Sequence, residues 1–145
     1  MRTTLILFVL CPFLLQSQSA KDSADIRTTV LNYVEGWYEG NADRMGKAIH
    51  PQMIKRIVGW AKDHTKNENM MEQLNASQLL DGTRKGLGKR IEKERQIKTI
   101  TILSVYNNTA SVKVEMADWY DFMHLGRWNG EWKIINVLWE MKPQY

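Results

Sequence analysis

The chain has 145 residues, a formal net charge of +4 and 43% hydrophobic residues. That combination suits one folded domain and excludes a disordered chain. The cationic side chains Lys85, Lys89, Arg90, Lys93 and Arg95 alternate with Glu92 and Glu94. They read as a solvated connector, not as the concentrated basic face that nucleic acid requires, so no nucleic-acid partner is expected.

The first residues follow the order of a secretory signal peptide. Arg2 supplies a positive start, Leu5 through Leu15 form an apolar run broken only by Pro12, and Gln16-Ser17-Gln18-Ser19-Ala20 form a small, polar exit. The run is shorter than the roughly 20 residues a bilayer-spanning helix needs. Cleavage is expected after Ser19, giving a leader at 1–19 and a domain at 20–145. The product would be periplasmic or secreted, with no membrane attachment. Cleavage removes Arg2, so the net charge of +4 falls to +3. It also removes Cys11, the only cysteine, which leaves a packed core as the source of stability.

The mature part opens on a helix. Ser23 is a suitable N-cap, and Ile26, Val30, Tyr33, Val34, Trp37 and Tyr38 form one apolar stripe before Gly40 ends it. Asn41 caps a second, short helix carrying Met45, Ala48 and Ile49, stopped at His50-Pro51. Ile54, Ile57, Val58 and Trp60 suggest an extended segment, and 61–69 suggests a polar loop. Asn75-Ala76-Ser77 starts a third helix through Leu79, Leu80 and Thr83.

From Gln96 the period changes from helical to alternating. Strands are expected at Lys98–Tyr106, Ala110–Trp119, Tyr120–Trp128 and Glu131–Met141, with Asn129-Gly130 as a two-residue hairpin turn. Helices followed by an antiparallel meander make an α+β fold. Extending the turn register without interruption pairs Leu125 with Ile134, His124 with Ile135, Phe122 with Val137 and Tyr120 with Trp139. Both faces of that hairpin are then largely apolar, so both should be covered. Helices cover one, and a second copy of the chain is the expected cover for the other.

The segments Asp121-Phe122-Met123-His124-Leu125 and Asn129-Gly130-Glu131-Trp132-Lys133-Ile134-Ile135-Asn136-Val137 resemble the "Putative lumazine-binding" family of the NTF2-like (SnoaL-like) superfamily. The first helix, with Tyr33, Trp37 and Tyr38, and the stretch from Asn41 to Pro51 are similar to it as well. The resemblance implies a cone: N-terminal helices packed on a strongly curved antiparallel sheet, with a pocket inside. It also implies dimers through the sheet. The superfamily holds isomerases, cyclases and dehydratases beside many non-catalytic binding domains, so the fold does not specify the activity.

The candidate site residues are Tyr33, Trp37, His50, Trp119, Asp121 and His124. A cone lined by Tyr33, Trp37 and Trp119, with one carboxylate and one histidine, suits a small planar heterocycle. The expected function is non-catalytic binding of such a ligand, or of a protein partner. The alternative is a cofactor-independent isomerase, cyclase or dehydratase, in which Asp121 with His124 or His50 moves a proton. Strict alternation sets Asp121 and His124 on opposite faces, and only a bulge between them would unite them. His64 falls in the polar loop. The three histidines have no metal-ligand spacing, and no nucleophile or phosphate-loop motif occurs, so neither metal nor cofactor is expected.

Overall fold

The computed structural model describes residues 12–63 and 68–143. In chain order these form α1 (Pro12–Glu39), α2 (Ala42–Ala48), β1 (Ile49–Asp63), β2 (Glu68–Asn75), α3 (Ala76–Arg84), β3 (Thr99–Tyr106), β4 (Thr109–Glu115), β5 (Trp119–Trp128) and β6 (Glu131–Met141). Two short 3₁₀ turns, Leu87–Arg90 and Lys93–Arg95, fill the charged connector between α3 and β3. Among the described residues, no helix is long and apolar enough to cross a membrane.

The helices sit where their apolar spacing requires. On α1, Ile26, Val30 and Val34 are fully buried, each stabilising the fold by about 1.5–3 kcal/mol relative to exposure. The helix does not start at Ser23. It begins at Pro12, a residue tolerated in the first turn because its missing N–H has no helical partner there. Ser23 is interior to the helix. Residues 1–11 of the expected leader lie outside the described residues. The Asn41 side chain caps α2 by accepting from the Arg44 N–H at 2.9 Å. Asn75 and Gln78 close a reciprocal capping box at the start of α3.

The six strands form one sheet in the order β2-β1-β6-β5-β4-β3. The sheet is mixed. Its β1–β6 pair runs parallel, whereas every other pair is antiparallel. The expected all-antiparallel meander therefore holds only for β3 through β6. The β1 strand is longer than expected and pairs with β2 as a hairpin, so part of the expected loop at 61–69 is strand.

The Asn129-Gly130 turn forms as expected, with both residues at positive φ, 50° and 83°, as this hairpin turn demands. Trp128 faces Glu131, and Leu125 faces Ile134. Beyond that point the uninterrupted register fails. Ile135 is an extra residue on β6, and His124 then faces Asn136, Met123 faces Val137, Phe122 faces Leu138 and Tyr120 faces Glu140. The bulge reverses the parity of β6. Val137 becomes core, and Trp139 and Met141 turn to the helix side.

Candidate functional site

A partly open cavity of about 140 Å³ lies between the helices and the inner face of the sheet, lined by Tyr33, Trp37, Lys55, Leu74, Leu79, Trp119, Trp139 and Met141. Tyr33 and Trp37 come from the stripe of α1, one turn apart. Leu79 comes from α3 and Leu74 from β2. Trp119 comes from β5, and Trp139 and Met141 come from the part of β6 that the bulge has turned inward. The rings meet edge to face: Trp37 and Trp119 have centroids 6.1 Å apart, and Trp119 and Trp139 5.8 Å apart, an arrangement that aromatic quadrupoles favour.

Trp37 is held by an unusually close neighbour. A Cβ on Gly88 would stand 2.2 Å from the Trp37 carbonyl oxygen and 2.6 Å from its Cδ1. Only a residue without a side chain lets the 3₁₀ turn close over this end of α1. Tyr38 anchors the same end: its hydroxyl donates to the Ile97 carbonyl at 3.0 Å and accepts from the Ala117 N–H at 3.0 Å.

Lys55 is the polar centre of the cavity. It follows β1 parity, between the buried Met53 and Ile57, and only 5% of it is exposed. Its Nζ donates to Asp121 Oδ1 at 2.6 Å and to the Tyr33 hydroxyl at 2.9 Å. It also stands 4.6 Å from the Trp139 ring centroid, 5.5 Å from that of Tyr33 and 5.6 Å from that of Trp119. An ammonium among three ring faces gains cation–π attraction, which strengthens where water is excluded. Burial works to lower the Lys55 pKa and prevails over the opposing pull of Asp121. Burial also raises the Tyr33 pKa well above its ordinary value, and the Asp121 charge adds to that, so Tyr33 stays a neutral phenol.

Three polar atoms around this centre are buried without a hydrogen-bond partner among the described residues: Asp121 Oδ2 and the indole nitrogens of Trp37 and Trp119. Native proteins leave few such atoms unpaired. One acceptor and two donors are thus left unpaired beside a cation whose charge Asp121 balances.

The other sequence-derived candidates are placed elsewhere. Asp121 is fully buried behind the cavity, on the inner face of β5. His124 is exposed on the outer face, its Nδ1 3.3 Å from Asn136 Nδ2. The bulge that would have united the pair exists, but on β6, so it leaves the parity of β5 intact. His50 sits at the α2–β1 junction. Its Nδ1 accepts from the Gln52 N–H at 3.1 Å, and its ring meets Trp128 edge-on at 4.8 Å. It serves the backbone beside Pro51, where strand pairing is interrupted between Ile49 and Ile54. An Asp121–histidine proton relay is therefore not assembled by His50 or His124. His64 lies outside the described residues. No group of three or more His, Cys, Asp or Glu side chains suited to a metal ion occurs among the described residues.

Sequence reasoning missed Lys55 and Trp139. The signal for Lys55 was a lysine at the centre of Met53-x-Lys55-x-Ile57, inward by period two. The uninterrupted register pairs Trp139 with Tyr120, on the face opposite Asp121, because a bulge leaves no mark in composition.

Residues 21–140 match the family model described as "Putative lumazine-binding". The chain belongs to this family. Solved structures place its fold: an NTF2-like protein from Shewanella baltica has a TM-score of 0.64 at 16% identity, covering 86% of this chain and 97% of the other. An NTF2-like protein with a cystatin-like fold from Novosphingobium aromaticivorans has a TM-score of 0.69 at 10% identity, covering 97% and 94%. An NTF-2-like protein from Silicibacter pomeroyi has a TM-score of 0.60 at 15% identity, covering 86% and 98%. At these identities the likeness establishes the NTF2-like α+β fold and nothing of activity. No curated protein matches the chain.

Proposed function

We propose that this member of the "Putative lumazine-binding" family is a non-catalytic binding domain that takes one small, flat, uncharged heterocycle into the Tyr33–Trp37–Trp119–Trp139 cavity. The observation that carries this reading is the set of unpaired buried polar atoms around a ring-lined space: two indole N–H donors and one carboxylate oxygen beside the Lys55–Asp121 pair. Rings would stack on rings, and ligand carbonyl and N–H groups would meet those donors and that acceptor. A cavity of 140 Å³ is below the roughly 300–1,000 Å³ typical of drug-sized ligands, which favours a single ring or a fused pair over a nucleotide. The balanced Lys55–Asp121 charge favours a neutral ligand, since an ion would be desolvated without a free partner.

Two further parts complete the reading. The outer sheet face carries Phe122, Leu138, Ile135 and Trp128, each between 41% and 54% exposed, and supports a homodimer through the sheet. Arg2, the Leu5–Leu15 run and the small-residue exit support export with cleavage after Ser19.

Tryptophan fluorescence of the protein titrated with lumazines, flavins and other flat heterocycles tests the pocket. Saturable quenching that disappears in Trp37→Ala is the expected result. No response across the panel would shift the function to protein–protein association.

A further inference from the structure

We propose that the cavity captures a carbonyl compound covalently and reversibly, as an iminium on Lys55 Nζ. This deepens the pocket reading above and rests on it, because the carbonyl carbon must first be seated among the rings.

The argument starts from where the amine is. Lys55 is the one lysine among the lining residues of the cavity, with a side chain 6% exposed. Amines such as Lys21, 67% exposed, lie at the solvent surface. Nζ instead is buried away from water, and burial disfavours its charge, which is how a lysine is made nucleophilic. The acceptor for its proton is in contact: Asp121 Oδ1 lies 2.6 Å away. The Tyr33 hydroxyl, 2.9 Å from Nζ, fixes the direction of a second N–H. Once the proton has passed to Asp121, rotation about the Cε–Nζ bond turns the freed lone pair toward the approaching carbon.

The step balances without any added reagent. The Lys55 ammonium passes one proton to the Asp121 carboxylate and becomes an amine. The nitrogen lone pair attacks the carbonyl carbon, and the C=O π pair moves to oxygen. A second nitrogen proton moves to that oxygen, giving a neutral carbinolamine. The Asp121 carboxyl then returns its proton to the hydroxyl as the C–O bond breaks, and water leaves. The product is a protonated imine and a carboxylate, so the charges at Nζ and Asp121 are the same before and after. The Tyr33, Trp119 and Trp139 faces, 4.6 to 5.6 Å from Nζ, therefore stabilise the iminium as they do the ammonium. An aryl aldehyde best suits the site: its ring would stack among these rings, and its carbon is unhindered.

The test is reductive trapping of the full chain with benzaldehyde and cyanoborohydride at neutral pH, read by peptide mass mapping. Lys55 is expected to carry the benzyl adduct about tenfold or more above Lys21, Lys85 and Lys89, the gain that a held carbonyl enjoys over free encounter. The preference is expected to vanish in denaturant. Lys55→Arg keeps the charge and should lose the dominant adduct. Labelling of Lys55 at or below the level of the exposed lysines overturns the proposal. Tryptophan quenching by benzaldehyde, run on the same samples, separates the two readings. Quenching without Lys55 labelling defeats the iminium and leaves the pocket standing, and loss of both defeats both.

Discussion

Lys55 on β1 reaches across β6 to place its Nζ 2.6 Å from Asp121 Oδ1 on β5. The two strands are not neighbours: β6 lies between them, and Trp139 of β6 packs its ring under the pair at 4.6 Å from Nζ. Both charges are buried, with side chains 6% and 0% exposed. Removing one partner would leave the other uncompensated in a low-dielectric interior. Asp121→Ala is therefore expected to cost about 3–5 kcal/mol. The double change Lys55→Met with Asp121→Leu should recover most of that loss, because an apolar pair needs no partner. Urea denaturation of the three variants measures the difference.

Gly88 controls the cavity through Trp37. A methyl group there would overlap the Trp37 backbone and indole, and α1 cannot yield without disturbing its buried stripe. Gly88→Ala is expected to destabilise the fold by roughly 1–3 kcal/mol, as overpacking does. It should also shift Trp37 emission and weaken heterocycle quenching, which a mutation acting on stability alone would not do at low temperature. Fluorescence spectra and titrations of the variant check both.

The bulge at Ile135 sets the contents of the pocket. Deleting Ile135 joins Ile134 to Asn136 in unbroken alternation, so Val137, Trp139 and Met141 keep their places opposite Met123, Asp121 and Trp119 on the inner face. Deleting Leu138 instead, beyond the bulge, shifts Trp139 and Met141 by one position to the outer face, and the expected outcome is loss of the cooperative unfolding transition that the Ile135 deletion retains, seen by near-UV circular dichroism on heating. Ile135→Ala keeps the extra residue and should retain the native spectrum.

Glu35 links acid stability to the α1 surface. Partial burial works to raise its pKa, but Lys98, at 3.1 Å, and the Arg44 guanidinium outweigh it and hold the carboxyl below its ordinary value. A depressed carboxylate contributes stability that is complete above the unfolded pKa of about 4.3 and is lost as pH falls through the folded one. Wild-type stability should therefore decline below about pH 4.3 more steeply than that of Glu35→Gln. Urea midpoints across pH 2 to 7, about the span in which carboxylates titrate, would reveal it, and parallel profiles would contradict it.

Phe122 and Leu138 face each other on the outer side of the β5–β6 hairpin, each 45% exposed. If a second copy covers them, Phe122→Asp places a charge in the interface, and its solution mass falls to that of one chain. Its helical circular dichroism should match the wild type, since the substituted side chain leaves the inner core untouched. Sedimentation of both proteins measures the mass, and a wild-type protein already monomeric would remove the dimer from the reading.

Local chemistry was legible in the residues themselves. The Asn129-Gly130 turn, the Asn75 cap, the stripe of α1 and the strands β3 to β6 each depend on neighbours within a few positions, where propensity and periodicity act. So did the inward placement of Tyr33 and Trp37, set by helical spacing from Ile26 and Val30. Tertiary structure alone decided the rest. The bulge at Ile135 coincides with the shift in the β1–β6 pairing between Ile49–Ile134 and Ile54–Asn136, so it involves three strands. That one residue moved Trp139 inward. Lys55 became a pocket residue because its partner, Asp121, lies 66 positions away, beyond the reach of any local pattern. A buried charge is stable only beside its counter-charge, and only the folded chain brings the two together.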